Sequence, residues 1–357
     1  MPVILEVYLM NKSDKIVDIK GLKVQFEIKQ SFLNEMFSKQ KKIVKAVDGV
    51  DLYINKGEIL SLVGESGSGK TTLGKAILDL VPVGEGEILF KGVKLDLNDK
   101  KAIKKFRQKA QMIFQDPYQS LDPKSLVIDA VAEPLEVNNL VKTSEERTER
   151  VIKALEDAGL SPGESYLYRF PYELSGGQRQ RVAIAGALIL DPDFIVADEP
   201  VSMLDVSIRT GILKLLLALK ETRDLTFLFI THDLSLAWLI SDRIAIMYLG
   251  KIVEIGESDM IIKGALHPYT KALLSIMPIP EVHRNRKRNV LTGEIPDPTD
   301  IPKGCRFNNR CEFAFDKCFQ IEPELLEIKE GHFVACHLYS EEHSNDSNGG
   351  KIWKIDI

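Results

Sequence analysis

The stretch GESGSGKTT, residues 64–72, limits what this chain can fold into more than any other. It matches G-x-x-x-x-G-K-[ST] and sits between a short apolar run, EILSLVG, and a helical run, TTLGKAILDLV. A strand must end there, a glycine loop must turn, and a helix must begin. Glycines let successive backbone N–H groups point into one concavity, and the helix N-terminus adds partial positive charge. The cradle comprises Gly64, Glu65, Ser66, Gly67, Ser68, Gly69, Lys70, Thr71 and Thr72. Lys70 is expected to reach the β- and γ-phosphates of a nucleotide, and the Thr71 hydroxyl to hold Mg²⁺.

Three later stretches supply what hydrolysis needs. In FIVADEP four apolar residues lead into Asp198, which places a carboxylate at the end of a buried strand, where it suits Mg²⁺. Glu199 follows and is the candidate to orient or deprotonate the attacking water. Gln115 ends the strand QMIFQ, where a neutral amide can touch Mg²⁺ or that water without adding charge. His232 ends the strand TFLFI in FITHD and can donate a hydrogen bond to the γ-phosphate.

Residues 174–178, LSGGQ, open a helix with two adjacent glycines, although glycine costs about 1 kcal/mol relative to alanine in a helix. Ser175 and Gln178 have the spacing of a capping box, which explains the helix start but not Gly176 and Gly177. Bare N–H groups at a helix N-terminus form an anion site. One nucleotide has no use for two cradles from separate stretches unless they meet across it.

Along the chain, 17–30 alternates as a half-buried strand, 38–45 reads as a polar loop, and AVDGVDLYINKGE reads as two strands with turn residues. Residues 117–171 are mostly helical. The segment RIAIMYLGKIVEIG reads as a hairpin turning at Gly250. The predicted class is α/β: a P-loop NTPase (RecA-like) core with an antiparallel β subdomain, a helical insert and a small cysteine-containing C-terminal unit. The predicted divisions are 1–116 with 173–262 for the core, 117–172 for the insert, 263–340 for the C-terminal extension, and 341–357 for a polar tail. The net charge of −5 argues against nucleic acid as a partner. The longest apolar stretch, 182–190, is far short of the ~20 residues of a crossing helix. The first residues carry no basic leader or cleavage pattern, so the expected compartment is the cytosol.

Taken together, GESGSGKTT, Gln115, LSGGQ, DEP, SMLD (202–205) and THD resemble the nucleotide-binding subunit of ATP-binding-cassette transporters, over roughly residues 17–340. The resemblance implies that Ser175, Gly176, Gly177 and Gln178 of one subunit close over ATP held by another, with Asp205 at the interface. It implies a dimer closed by ATP and reopened by hydrolysis, with the insert touching membrane subunits. HPYTKALL (267–274) and LTGEIPDPTDIPKGCRFNNRC resemble the C-terminal extension of the dipeptide and oligopeptide branch. That branch implies a peptide importer, with oligosaccharides carried by some members. Its implied partners are a second, paralogous ATPase, two permease subunits and an extracytoplasmic solute-binding protein. The implied location is the cytoplasmic face of the membrane, held peripherally. A soluble cassette ATPase of DNA repair or translation is the rival; those relatives usually carry two cassettes or basic arms. An aromatic usually stacks on adenine in the family; Phe26, Phe32 and Phe37 are all available, and the role stays unassigned.

Cys305, Cys311, Cys318 and Cys336 are the chain's four cysteines, with gaps of five, six and seventeen residues. In a reducing cytosol such clustering points to a metal site rather than disulfides. No C-x₂-C knuckle of zinc type is present; wider loops suit a [4Fe–4S] cluster, an expectation the resemblance supports. Zinc, or free or oxidised thiols, are the alternatives. The basic run 283–289 reads as a solvated linker face or a contact for anionic lipid.

Overall fold

The computed structural model describes residues 15–28, 42–277 and 296–340. Two sheets share its core. The smaller is antiparallel, in the order β2-β1-β4-β5, from β1 (Lys15–Ile28), β2 (Lys42–Asn55), β4 (Glu85–Phe90) and β5 (Val93–Lys94). Residues 42–55 form one strand, where the sequence suggested a loop followed by two strands. Leu22 pairs with Val50 and Lys23 with Asp48, so Gly49 is squeezed out of register at φ 73°. Asp48-Gly49 therefore makes a bulge instead of a turn, and the strand continues with a sharper twist.

The larger sheet has the order β11-β12-β10-β9-β3-β8-β7-β6. Its parallel part comprises β3 (Ile59–Val63), β6 (Ala110–Ile113), β7 (Phe194–Asp198), β8 (Thr226–Thr231) and β9 (Arg243–Tyr248). Every residue of β3, β7 and β8 is buried, as strands covered on both faces require. β10 (Lys251–Glu257) returns antiparallel through the turn at Gly250, and β12 (His332–Val334) pairs with β10 and with β11 (Leu326–Lys329). The C-terminal extension thus continues the sheet of the cassette.

Alternation along the parallel strands divides the core between two faces. Leu60, Leu62, Leu228 and Ile230 pack with the small sheet and with α1 (Lys70–Ile77). Ile59, Phe227 and Phe229 pack with the insert helices α2 (Val127–Val137) and α3 (Ser144–Asp157), and with α4 (Gly176–Leu188) and α5 (Val206–Arg223). A third cluster joins Val63, Ile246 and Tyr248 to Tyr269 and Phe307.

The HPY stretch has a structural explanation there. His267 caps α6 (Pro268–Ile276), its Nδ1 accepting from the Tyr269 N–H at 3.0 Å. Its own N–H donates to the fully buried Glu254 at 3.0 Å. Burial holds the imidazole down to about 4, against an ordinary 6.5. The folded ring is neutral, so below pH 6.5 the unfolded chain takes a proton that the folded chain refuses. The stabilisation is complete above pH 6.5 and fades as pH falls toward 4, by about 3 kcal/mol over that window. His267→Asn keeps a capping side chain without the titration. Urea midpoints measured from pH 7 to pH 4 should fall less steeply in that variant than in the parent.

Candidate active site

The four strands β6, β7, β8 and β3 lie side by side and parallel, and each ends at a candidate residue or loop. Gln115 follows β6, Asp198 and Glu199 follow β7, His232 follows β8, and the P-loop follows β3. Ligands of open α/β sheets bind off these carboxyl ends.

Two P-loop glycines are required by close backbone approach. A Cβ on Gly64 would lie 2.2 Å from the Met247 carbonyl oxygen, and one on Gly69 would lie 2.1 Å from that of Ala46. Gly69 also has φ 102° where it caps α1. Lys70 is buried and donates to the carbonyls of Gly64 at 2.8 Å and Glu65 at 2.9 Å. Burial pulls its ammonium below the ordinary lysine range, against the pull of Glu199 and Asp198. A polyphosphate brought to this lysine would relieve that penalty.

The Thr71 hydroxyl donates to Asp198 at 2.9 Å. Burial raises the Asp198 carboxyl above its usual range, and Glu199 adds to this. A buried carboxylate and a hydroxyl converging beside a phosphate cradle are the donor set Mg²⁺ takes, with water and phosphate oxygens completing the shell. Glu199 itself is held at φ 44°, a strained conformation for a non-glycine residue. That backbone turns its carboxylate between two partners. Gln115 Nε2 lies 3.1 Å from one oxygen, and His232 Nδ1 lies 3.1 Å from the other. The residues expected to handle the lytic water therefore converge on one carboxylate.

A cavity of about 380 Å³ covers the P-loop, lined by Ser66, Gly69, Lys70, Thr71, Gln115 and Glu199. Phe26 reaches it from β1, as do Pro298 and Ile301 from the C-terminal extension. Phe32 and Phe37 lie outside the described residues, as do the run 283–289 and the tail 341–357. Ser175 to Gln178 do not line this cavity. They form the capping box: Gln178 N–H donates to Ser175 Oγ at 3.3 Å and Ser175 N–H to Gln178 Oε1 at 2.9 Å.

The two glycines of LSGGQ differ in their reasons. A Cβ on Gly177 would lie 2.6 Å from Ile208 Cγ2 on α5, so a larger residue would force Ile208 to shift. A Cβ on Gly176 would meet only Leu204 Cδ2 at 3.7 Å, an ordinary contact. Gly177→Ala should cost about 1–3 kcal/mol in denaturant unfolding. Adding Ile208→Ala should cost less than the sum of the two single changes. Among the described residues nothing demands glycine at 176. Asp205 is exposed beside Met203 and Val206, which are 62% and 76% exposed.

The four cysteines are free thiols. Burial chiefly, with Cys318 and Cys311 adding to it, pushes Cys305 up to about 11. Cys336 is pushed up to about 12 by burial, with all three others contributing. The thiols are thus neighbours. Among the described residues, however, no three His, Cys, Asp or Glu side chains are placed to hold a metal ion, so the predicted cluster has no ready-made ligand set. Among the described residues no helix is long and apolar enough to cross a membrane.

A P-loop at the end of β3, a carboxylate pair after β7, and Gln115 and His232 converging on Glu199 define an ATP-hydrolysing ATP-binding cassette. Residues 47–202 match the sequence profile described as ABC transporter, and 253–318 match that described as oligopeptide/dipeptide transporter, C-terminal region. The oligopeptide transport ATP-binding protein AppF of Bacillus subtilis is 45% identical over 330 residues, 92% of this chain and 98% of its own. The dipeptide transport ATP-binding protein DppF of Haemophilus influenzae is 41% identical over 327 residues, again 92% and 98%. Among solved structures, a dimeric post-hydrolysis state of the cassette MJ0796 bound to ADP and Pi matches with TM-score 0.59 and 32% identity. It covers 68% of this chain and 98% of that one. The chain belongs to the ATP-binding proteins of the ABC transporter family, in the oligopeptide/dipeptide branch.

Proposed function

We propose that this chain is the motor subunit of a peptide importer, working as one of two ATPase chains that close over two ATP molecules. The observation that carries the paired arrangement is the contrast at the glycine helix. The chain's own phosphate cavity is not lined by residues 175–178, while Gly176 has room for a side chain and, among the described residues, no neighbour that forbids one. A partner's γ-phosphate supplies that reason. The dimeric MJ0796 cassette with ADP and Pi is in keeping with it.

In this mechanism Lys70 and the P-loop N–H groups bind the phosphates, and Thr71, Asp198 and Gln115 would hold Mg²⁺, which when bound would supply charge screening for the transferring phosphoryl group. Glu199 takes a proton from the attacking water, with His232 and Gln115 orienting its carboxylate. Ser175, Gly176 and Gln178 of this chain close over the nucleotide held by the partner, and the partner's corresponding helix start closes over this one. Cleavage removes the link between the chains, and the pair reopens.

Exposed apolar residues on and near the insert, including Tyr168, Tyr172 and Val137, together with Phe114 beside Gln115, suit contact with the two permease subunits at the cytoplasmic face. The names of the relatives support peptide as solute; a solute-binding protein as donor and a paralogous second ATPase complete the proposed assembly. Purifying the assembled transporter and identifying its solute tests this. Bound di- or oligopeptides are expected, and oligosaccharides would move the chain to the sugar-carrying members. We further propose that the four neighbouring thiols are the ligands of a [4Fe–4S] cluster, with zinc as the alternative, because four soft sulfurs share one small unit. Anaerobically purified protein should be brown, with the colour lost on iron chelation. A colourless protein containing one zinc per chain would select the alternative.

A further inference from the structure

We infer that Arg310, in the C-terminal extension, is a positioning residue for the ATP site: it holds the P-loop in its phosphate-ready form by gripping Glu65. The inference rests on ATP occupying the cradle 64–72. Arg310 is buried, and its guanidinium meets the Glu65 carboxylate with both arms, at 2.7 Å and 3.2 Å. Such two-pronged pairs fix orientation as well as distance. The aromatic rings of Tyr248 and Phe307 flank the guanidinium at 5.8 Å and 5.9 Å, which limits its movement.

Glu65 is held a second time from the same side. Its backbone N–H donates to the hydroxyl of the fully buried Tyr269 at 2.9 Å. Its carbonyl in turn accepts from Lys70 Nζ at 2.9 Å and from the Ser68 N–H at 3.2 Å. One residue therefore links the extension to the phosphate-binding lysine. The far end of the loop is tied as well. Arg306 donates to the Leu249 carbonyl and pairs with Asp48, and the next residue, Gly250, donates its N–H to the Ser68 carbonyl at 2.8 Å. The segment 305–311, bounded by two of the cysteines, thus holds the loop directly at Glu65 through Arg310 and indirectly at Ser68 through Leu249 and Gly250. Its effect is on ATP affinity, since none of these groups lies where the water attacks.

The test uses the full chain and MgATP, with affinity from calorimetry and turnover from phosphate release. Arg310→Gln should raise the ATP Kd and KM about tenfold or more, while kcat at saturating ATP stays within about twofold. Arg310→Lys should recover part of the affinity, because lysine restores the charge without the fork. Tyr269→Phe keeps the ring and its packing, and should raise Kd about threefold even if Arg310→Gln folds poorly. The double change Glu65→Gln with Arg310→Gln should be no worse than the more damaging single change. Parental Kd in both Arg310→Gln and Tyr269→Phe, or a loss confined to kcat, would overturn the inference. Lys70→Ala losing ATP binding in the same assay would show that the nucleotide site itself stands.

Discussion

Replacing Glu199 by Gln should lower ATP hydrolysis by about 10²–10³-fold while strengthening retention of ATP. The change is nearly isosteric, and an amide can still face both Gln115 and His232, each 3.1 Å from the carboxylate. Folding should therefore be unaffected, and the strained backbone at φ 44° is the same for either side chain. Basicity is lost, so no group of suitable charge remains to accept the water's proton. A negative charge next to the γ-phosphate is removed as well, which favours the uncleaved nucleotide. Phosphate release and filter retention of labelled ATP measure the two effects separately. Hydrolysis at the parent rate would take the base role from Glu199.

Gly176→Glu should reduce turnover by at least about 100-fold without weakening ATP binding to an isolated chain. The substitution costs little locally. Space exists around the would-be Cβ, and glutamate is a better helix former than glycine. Its damage lies outside the chain, where a carboxylate would be pressed against the partner's γ-phosphate. Calorimetry on the single chain should give the parent Kd, and the assembled transporter should be nearly inactive. The neighbouring glycine gives the opposite pattern: Gly177→Ala acts on stability, through Ile208. Loss of ATP binding by isolated Gly176→Glu chains would place that glycine in the chain's own cradle.

The positions of the candidate site residues were legible because each lies at the end of a short apolar strand or in a glycine loop, and local pattern suffices to place such ends. Their convergence on Glu199 follows once β6, β7, β8 and β3 are neighbours. Asp48-Gly49 misled because a turn and a bulge call for the same residues; only pairing with β1 distinguishes them. The reason for Gly177 was hidden in a side chain of another helix, Ile208. Arg310 and Tyr269 stand in the stretches GCRFNNRC and HPYTKALL, yet their partner Glu65 lies 245 residues before Arg310 in the chain. No periodicity reports such a contact. Cysteine spacing brought the four thiols together in prospect, but ligating geometry depends on side-chain directions that spacing does not encode.

The sharing of ATP between two chains is tested most directly by sedimentation of the Glu199→Gln protein with MgATP, alone and with the ATPase chain purified from the same transporter. The nucleotide should convert single chains into a pair in at least one of these mixtures, and its removal should separate them. A single-chain mass with ATP bound in both mixtures would contradict the shared site.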